Sequence, residues 1–225
     1  MLITNFDSFV ENLLTCGFSM GGENDEGVFA LSNYFDENIK WHSGVVAYDP
    51  WEWRIKVLED RDDIAYAKLF FKKSGFISRD WYPYFLCARR KGKTFEEAFL
   101  DGYITAAEKR VYDVINAYDA IPFHEIKRLA GFSKENKSEF EKAITGLQMK
   151  MFITMCGRKR KTSQFGAEFG WSSTVFCTVE RYFSAEVFEK ADRISPVEAA
   201  EKIKAQILSL NPQANLKKVT KFING

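Results

Sequence analysis

A chain of 225 residues with 46% hydrophobic and 28% charged content can bury an ordinary core, which excludes disordered and collagen-like classes and allows one large domain or two small ones. Its net charge of +1 does not announce a polyanion partner, so a basic face has to be sought locally. The four cysteines, Cys16, Cys87, Cys156 and Cys177, lie far apart with no CxxC pair, and His42 and His124 are the only histidines, so neither a metal site nor a cofactor is expected.

In chain order, residues 3–17 carry Phe6, Phe9, Val10, Leu13 and Leu14 at helical spacing, with Gly17 as a stop. A polar loop follows at residues 21–27, and residues 28–31 read as a short strand. Asp49 as N-cap and Pro50 at the first helical position open a helix to about Glu59. Trp51 and Trp53, two apart, cannot share a helix face, so one indole suits the core and the other a groove. Residues 65–71 are strand-like, residues 72–75 read as a turn or strand end, and an aromatic-rich helix starts near Ser78 and closes on Arg89, Arg90 and Lys91. Cations there either complement the helix dipole or form part of a basic track.

From Thr105 the pattern sharpens. Thr105 caps a helix with Val111, Val114, Ile115 and Tyr118 in one stripe. Pro122 opens a second with Phe123, Ile126 and Leu129, and residues 137–150 form a third with Phe140, Ile144 and Leu147 facing inward. Residues 152–156 then read as a strand, 157–170 as a cation-rich polar loop, and 171–179 as a second strand of period-two alternation. Three helices followed by a hairpin is the winged-helix order. The expected fold is therefore α+β: an N-terminal mixed α/β region (1–100) packed against a winged-helix module (105–183), followed by a C-terminal helical segment (184–225) in which Ser195 caps a helix from Pro196 to Leu210.

Charge collects in the module. Residues 106–165 hold twelve lysines and arginines against seven acidic residues, and Arg158, Lys159, Arg160 and Lys161 sit where a wing would reach a phosphate backbone. The same four also fit a solvated loop. On the third helix, the recognition position, Lys142 suits a phosphate and Gln148 an adenine edge, while Glu139 and Glu141 would repel the same phosphates. Lys72, Lys73, Arg89 and Arg90 could extend the track. Trp51, Trp53 and Trp81 are the candidates for stacking on a base or lining a groove.

For catalysis the chain offers no GxSxG, GxxxxGK[ST] or HExxH. His42 and His124 read as structural or surface residues, and Glu59, Asp60, Asp62 and Asp63 as a solvated loop. Interrupted by Asn5, Asp7 and Glu11, the start of the chain does not read as a signal peptide, and no apolar run reaches membrane-spanning length. With the cysteines read as reduced thiols, a cytoplasmic protein is expected.

The stretch KKSGFISRDWYPYFLCARR, residues 72–90, resembles a segment of the AlkZ/YcaQ-type winged-helix DNA glycosylases: a small apolar run, an acidic residue, a Trp-Pro neighbourhood, an aromatic and a basic end. The second half is similar too, with a helix pair, a longer helix reaching Gly146-Leu147, a strand, a basic wing and an aromatic strand ending Val179-Glu180-Arg181. The likeness spans about residues 65–183. It implies a concave nucleic-acid-facing surface, DNA as partner, and hydrolysis of the N-glycosidic bond of an alkylated or cross-linked base.

The chain departs from that family's catalytic Gln-x-Gln or Gln-x-Asp motif near the N-terminus, since its first glutamine is Gln148. A replacement water-positioning group would be Asp49 or Glu52 beside Trp51, against the plainer reading of an N-cap and a packed tryptophan pair. The leading expectation is a nucleic-acid-binding winged-helix protein related to these glycosylases. One rival is a non-enzymatic interaction or structural protein with Trp81, Tyr82 and Tyr84 feeding a protein interface; the other is a glycosylase with a catalytic residue outside the family motif.

Overall fold

Helix α1 (Phe6–Cys16) begins where Asn5 and Ser8 exchange the two hydrogen bonds of a capping box, and it buries Phe6, Phe9, Val10 and Leu13. It stops at Gly17, whose φ of 88° favours glycine; a side chain there would also meet the Trp81 indole, 2.1 Å from a Cβ. The structure, a computed structural model, describes residues 1–162 and 168–225, leaving out the side chains of residues 161, 162, 168 and 171. The fold is mixed α and β with small antiparallel sheets. It divides into two compact units, Met1–Gly92 with Phe183–Gly225, and Lys93–Tyr182.

In the first unit β1 (Phe18–Met20) leads through a 3-10 turn, Leu31–Tyr34, to α2 (Pro50–Asp60), β2 (Ile64–Phe70), β3 (Lys73–Ser78) and α3 (Tyr82–Arg90). Residues 28–31, expected as a strand, contribute a single bridge from Ala30 to Met20. The larger difference lies at residues 73–78. Lysines and Gly75 suggest a turn there, yet β3 is the central strand, paired antiparallel with β1 and β2. Gly75 is where the Phe70 ring crosses the strand, 2.4 Å from the place a Cβ would take, so the residue that weakens the local strand signal permits the packing.

The second unit runs α4 (Phe95–Leu100), α5 (Ala106–Asn116), β4 (Ile121–Pro122), α6 (Phe123–Leu129), α7 (Lys137–Met149), β5 (Ile153–Thr162), β6 (Glu168–Thr178) and α8 (Val179–Tyr182). Capping boxes Thr94/Glu97 and Thr105/Glu108 start α4 and α5. The apolar stripes of α5, α6 and α7 meet over Val111, Ile115, Ile126, Phe140, Ile144 and Leu147, closed by Phe152 and Phe176. Phe95 stacks on Tyr112 at 3.5 Å. The strands form a sheet of order β4-β6-β5. Under it, buried Glu108 receives Lys150 Nζ at 2.7 and 2.8 Å and the Thr105 main-chain N–H at 2.8 Å, tying the start of α5 to the end of α7.

Helices α9 (Ala185–Asp192), α10 (Pro196–Leu210) and α11 (Leu216–Asn224) complete the first unit. Phe222 of α11 stacks on Phe70 at 3.8 Å and lies 5.7 Å from Phe18, so the two ends of this unit share one aromatic core. Among the described residues no helix is long and apolar enough to cross a membrane.

Candidate nucleic-acid interface

Strands β5 and β6 form a long ribbon whose inner end is core and whose outer end is exposed. Residues 157–162 and 168–170, expected within a loop, are strand: Arg158 pairs with Thr174, Lys159 with Ser173, and Lys161 with Phe169. Polar side chains hide this from a hydrophobic pattern, because an exposed ribbon is held by its main-chain ladder. Register shifts between Met155 and Gly157 and between Lys159 and Lys161 mark two irregularities, and Gly157 takes φ 149° at the first. Beside it the Cys177 thiol hydrogen-bonds Cys156, lowering the Cys156 pKa from its ordinary value and, with burial, raising that of Cys177. Arg158, Lys159 and Arg160 are exposed beyond this point; the Lys161 side chain lies outside the described residues.

The cations of this unit fall into two groups. Lys109 pairs with Asp113 at 3.1 Å, Lys137 with Glu141 at 3.5 Å and Lys150 with Glu108, while Arg110 donates to the Ala130 carbonyl and lies 4.3 Å over the Phe132 ring. Among the described residues, Lys127, Arg128, Lys134, Lys142, Lys159 and Arg160 enter no ion pair.

Three of these gather at the turn from α6 to α7. Lys127, Arg128 and Lys134 line an open groove with His124 and Ser133, at a bend made by Gly131 with φ 69°. The His124 Nδ1 is buried there without a hydrogen-bond partner among the described residues. Asn136, at the start of α7, has its side-chain oxygen taken by the Ser133 N–H at 2.6 Å and caps no helix N–H. This groove was not singled out from the sequence, where its cations register only as part of a local excess; the signal was basic residues flanking a helix-helix turn. Phe169, 51% exposed and opposite Lys161, was also missed.

On α7, Lys142 is exposed as expected, but Gln148 is fully buried and its Nε2 donates to Ile144 O at 2.9 Å. It belongs to the inner face with Phe140, Ile144 and Leu147, so the expectation that it reads an adenine edge is corrected: the stripe continues one position further than the apolar residues reveal. In the first unit Lys72 and Lys73 are exposed at the β2–β3 turn, whereas Arg89 and Arg90 are buried. Arg89 donates to the carbonyls of Leu69, Phe222 and Ile223 at 2.8, 2.8 and 2.9 Å, so it is a cross-link within the core and leaves the expected surface track.

The tryptophans separate as their spacing requires. Trp53 is fully buried against Phe9 and Phe35, with its Nε1 donating to Val46 O at 2.8 Å; it lines only a small internal pocket with Phe9, Phe35 and Phe76, and its ring is not open to stacking on a base. Trp51 is 41% exposed, with the Arg54 guanidinium 3.2 Å over its ring and His42 4.5 Å away. Trp81 is half-buried on Gly17 and Phe18, and Tyr82, expected at an aromatic surface, is fully buried against Phe183.

Asp49 caps α2 as expected and does more. Its carboxylate accepts from the N–H groups of His42 (3.0 Å), Gly44 (2.9 Å) and Trp51 (2.9 Å). Burial opposes its charge, but these main-chain donors outweigh it and hold the carboxyl below its ordinary value. Such a group is a buried, weak base already holding three main-chain donors, which fits loop closure far better than water activation. Glu52 is half-buried one turn along α2.

No curated protein and no solved structure matches the chain. A family model described as AlkZ related matches residues 3–224, spanning both units and bearing out the resemblance carried by residues 72–90 and by the second half. The chain belongs to the AlkZ-related family.

Proposed function

We propose that Lys93–Tyr182 is a winged helix that binds DNA through its phosphate backbone. Its element order and the strand order β4-β6-β5 support the fold assignment: helix, short strand, two helices and a two-stranded ribbon that closes on the short strand. The observation that carries the function is where the cations without ion pairs stand: Lys159 and Arg160 on the ribbon, Lys142 on α7, and Lys127, Arg128 and Lys134 at the α6–α7 turn. These are the three parts of the fold that approach a duplex. With Gln148 buried and Glu139 and Glu141 exposed on α7, backbone contact suits the surface better than base reading. Family membership makes DNA the polyanion of choice.

The test is fluorescence anisotropy of labelled duplex DNA at several salt concentrations, comparing the wild-type chain with a combined Arg158→Ala, Lys159→Ala and Arg160→Ala variant. Every phosphate that a cation no longer neutralises lowers the salt slope by about 0.9, so a fall of about 2 to 3 is expected. Equal affinity and equal slope in the two proteins would refute the ribbon as a DNA-binding element and favour its use as a protein-binding surface.

A further inference from the structure

The β2–β3 hairpin turns through two residues, Phe71 and Lys72, flanked by the pair Phe70 and Lys73. Both take positive φ, 52° and 63°. A two-residue hairpin turn of this kind is comfortable with Asn-Gly; a bulky aromatic and a lysine in the left-handed region cost about 1 kcal/mol or more each. The turn is thus a poor sequence for its own conformation; at that cost Lys72 is exposed and the Phe71 ring lies half-buried, 6.1 Å from Phe222.

Those side chains meet others of the same sign. Lys218 and Lys221 of α11 place their Nζ atoms 5.6 and 5.8 Å from the half-buried Phe71 ring. Lys73 follows directly in the strand. A single carboxylate, Glu26, answers both Lys73 (3.4 Å) and Lys218 (2.5 Å), and their hydrogen bonds and charge lower its pKa from its ordinary value. Lys72 and Lys221 make no ion pair among the described residues. Two lysines stand over the Phe71 ring and two more occupy the hairpin itself, and Glu26 pairs with only two of the four, which leaves Lys72 and Lys221 as the charges open to an outside anion.

We propose that this hairpin tip and α11 form a second nucleic-acid contact, in which Lys72, Lys73, Lys218 and Lys221 meet backbone phosphates and Phe71 offers its face to a sugar or an unpaired base. Lysines act here as point charges, so the binding is indifferent to sequence. An aromatic set among cations is the arrangement that binds single strands by stacking and charge together. The inference takes the identity of the polyanion from the DNA-binding reading above and adds a separate surface to it.

Two variants of the full chain test it. Lys72→Ala with Lys221→Ala removes two charges that have no ion-pair partner. The salt slope on single-stranded DNA, where each phosphate contributes about 0.7, falls by about 1.4, which is roughly 25-fold in affinity at 0.1 M salt if the proteins bind alike at 1 M. Phe71→Asn with Lys72→Gly installs a turn pair suited to the backbone, which offsets the lost packing of the half-buried ring, so thermal stability is kept while single-strand affinity falls about fivefold or more from the missing charge alone. Retained stability with weaker binding separates a binding role from a structural one.

The ribbon variant serves as the parallel arm. If it weakens DNA binding while both hairpin variants bind as wild type, the hairpin site is overturned and the winged-helix reading stands. If the hairpin variants weaken binding and the ribbon variant does not, the hairpin site stands without the ribbon. A wild-type chain that binds neither single- nor double-stranded DNA overturns both. Binding to vesicles of one-third phosphatidylserine that the hairpin variants lose, with DNA affinity unchanged, would reassign the patch to a membrane surface and also overturn the proposal.

Discussion

Replacing Arg89 by methionine keeps the length and most of the volume of the side chain and removes its charge. Three carbonyls are then deprived of their donor: Leu69 at the end of β2, and Phe222 and Ile223 in the last turn of α11. Each buried acceptor left alone costs about 1 to 3 kcal/mol, and the cation's favourable position at a helix C-terminus disappears as well. Release from the penalty of burying a guanidinium returns part of this, so the net cost is about 3 kcal/mol. For a chain of this size that lowers Tm by about 6 to 12 °C. Of the five tryptophans Trp41, Trp51, Trp53 and Trp81 lie in the first unit, so tryptophan fluorescence in urea chiefly reports the unit at issue, and hydrogen exchange of α11 amides should accelerate with it. DNA affinity, measured well below the transition, should not change. A stability loss under 1 kcal/mol, or weaker DNA binding with unchanged stability, would refute the core cross-link and return Arg89 to the surface.

Further consequences concern other anchors. Asp49→Asn keeps one acceptor but turns an amide toward the Gly44 N–H, and should cost about 1 to 2 kcal/mol in urea titrations. Because the folded-state pKa of Asp49 is lowered from 3.8, its contribution is complete above that value and is lost as pH falls through the lower folded one; wild-type and variant stabilities should converge in that acid window and stay apart at pH 7. Parallel pH curves would show the charge to be irrelevant. Gly146→Ala ordinarily gains about 1 kcal/mol in a helix, but here the new Cβ lies 2.1 Å from Glu108 Oε1, which Lys150 holds while the Thr105 N–H holds Oε2 of the same carboxylate, so we expect a net loss of about 1 to 2 kcal/mol by thermal melting. A more stable alanine variant would show that Glu108 moves aside freely.

Much of the helical frame was legible because its signals are local. Gly17 as a stop, Asp49 with Pro50, and Thr105 as a cap mark helix ends through residues close in the chain, and α5, α6 and α7 follow from their apolar spacing. Strand β3 was not, because its place depends on partners on both sides and on the Phe70 ring crossing Gly75. The outer ribbon escaped for the opposite reason: Arg158, Lys159, Arg160, Phe169 and Gly170 are all exposed, so its strand character leaves no alternation. Site residues divide in the same way. The Arg158–Arg160 run announces exposure by charge alone, while Arg89 looks equally polar and is buried by partners that spacing cannot foretell, 133 and 134 positions away; Gln148 stands four residues after Ile144 on the inner stripe of α7, where the polarity of its side chain masks a position that helical spacing assigns to the core. The groove at the α6–α7 turn needed the bend at Gly131 to bring His124 and Lys134 to one place.

The first unit is discontinuous in sequence while the second is a single stretch, Lys93–Tyr182. On a ribosome the order of completion follows: the second unit has all its residues while Phe18, Phe70 and Phe85 still await Phe222, the ring that stacks on Phe70. Until α11 emerges, Arg89 also lacks the Phe222 and Ile223 carbonyls. The stretch Met1–Gly92 is therefore made before the second unit and closes after it, and for that interval Phe18, Phe70 and Phe85 lack the ring that covers them in the finished fold.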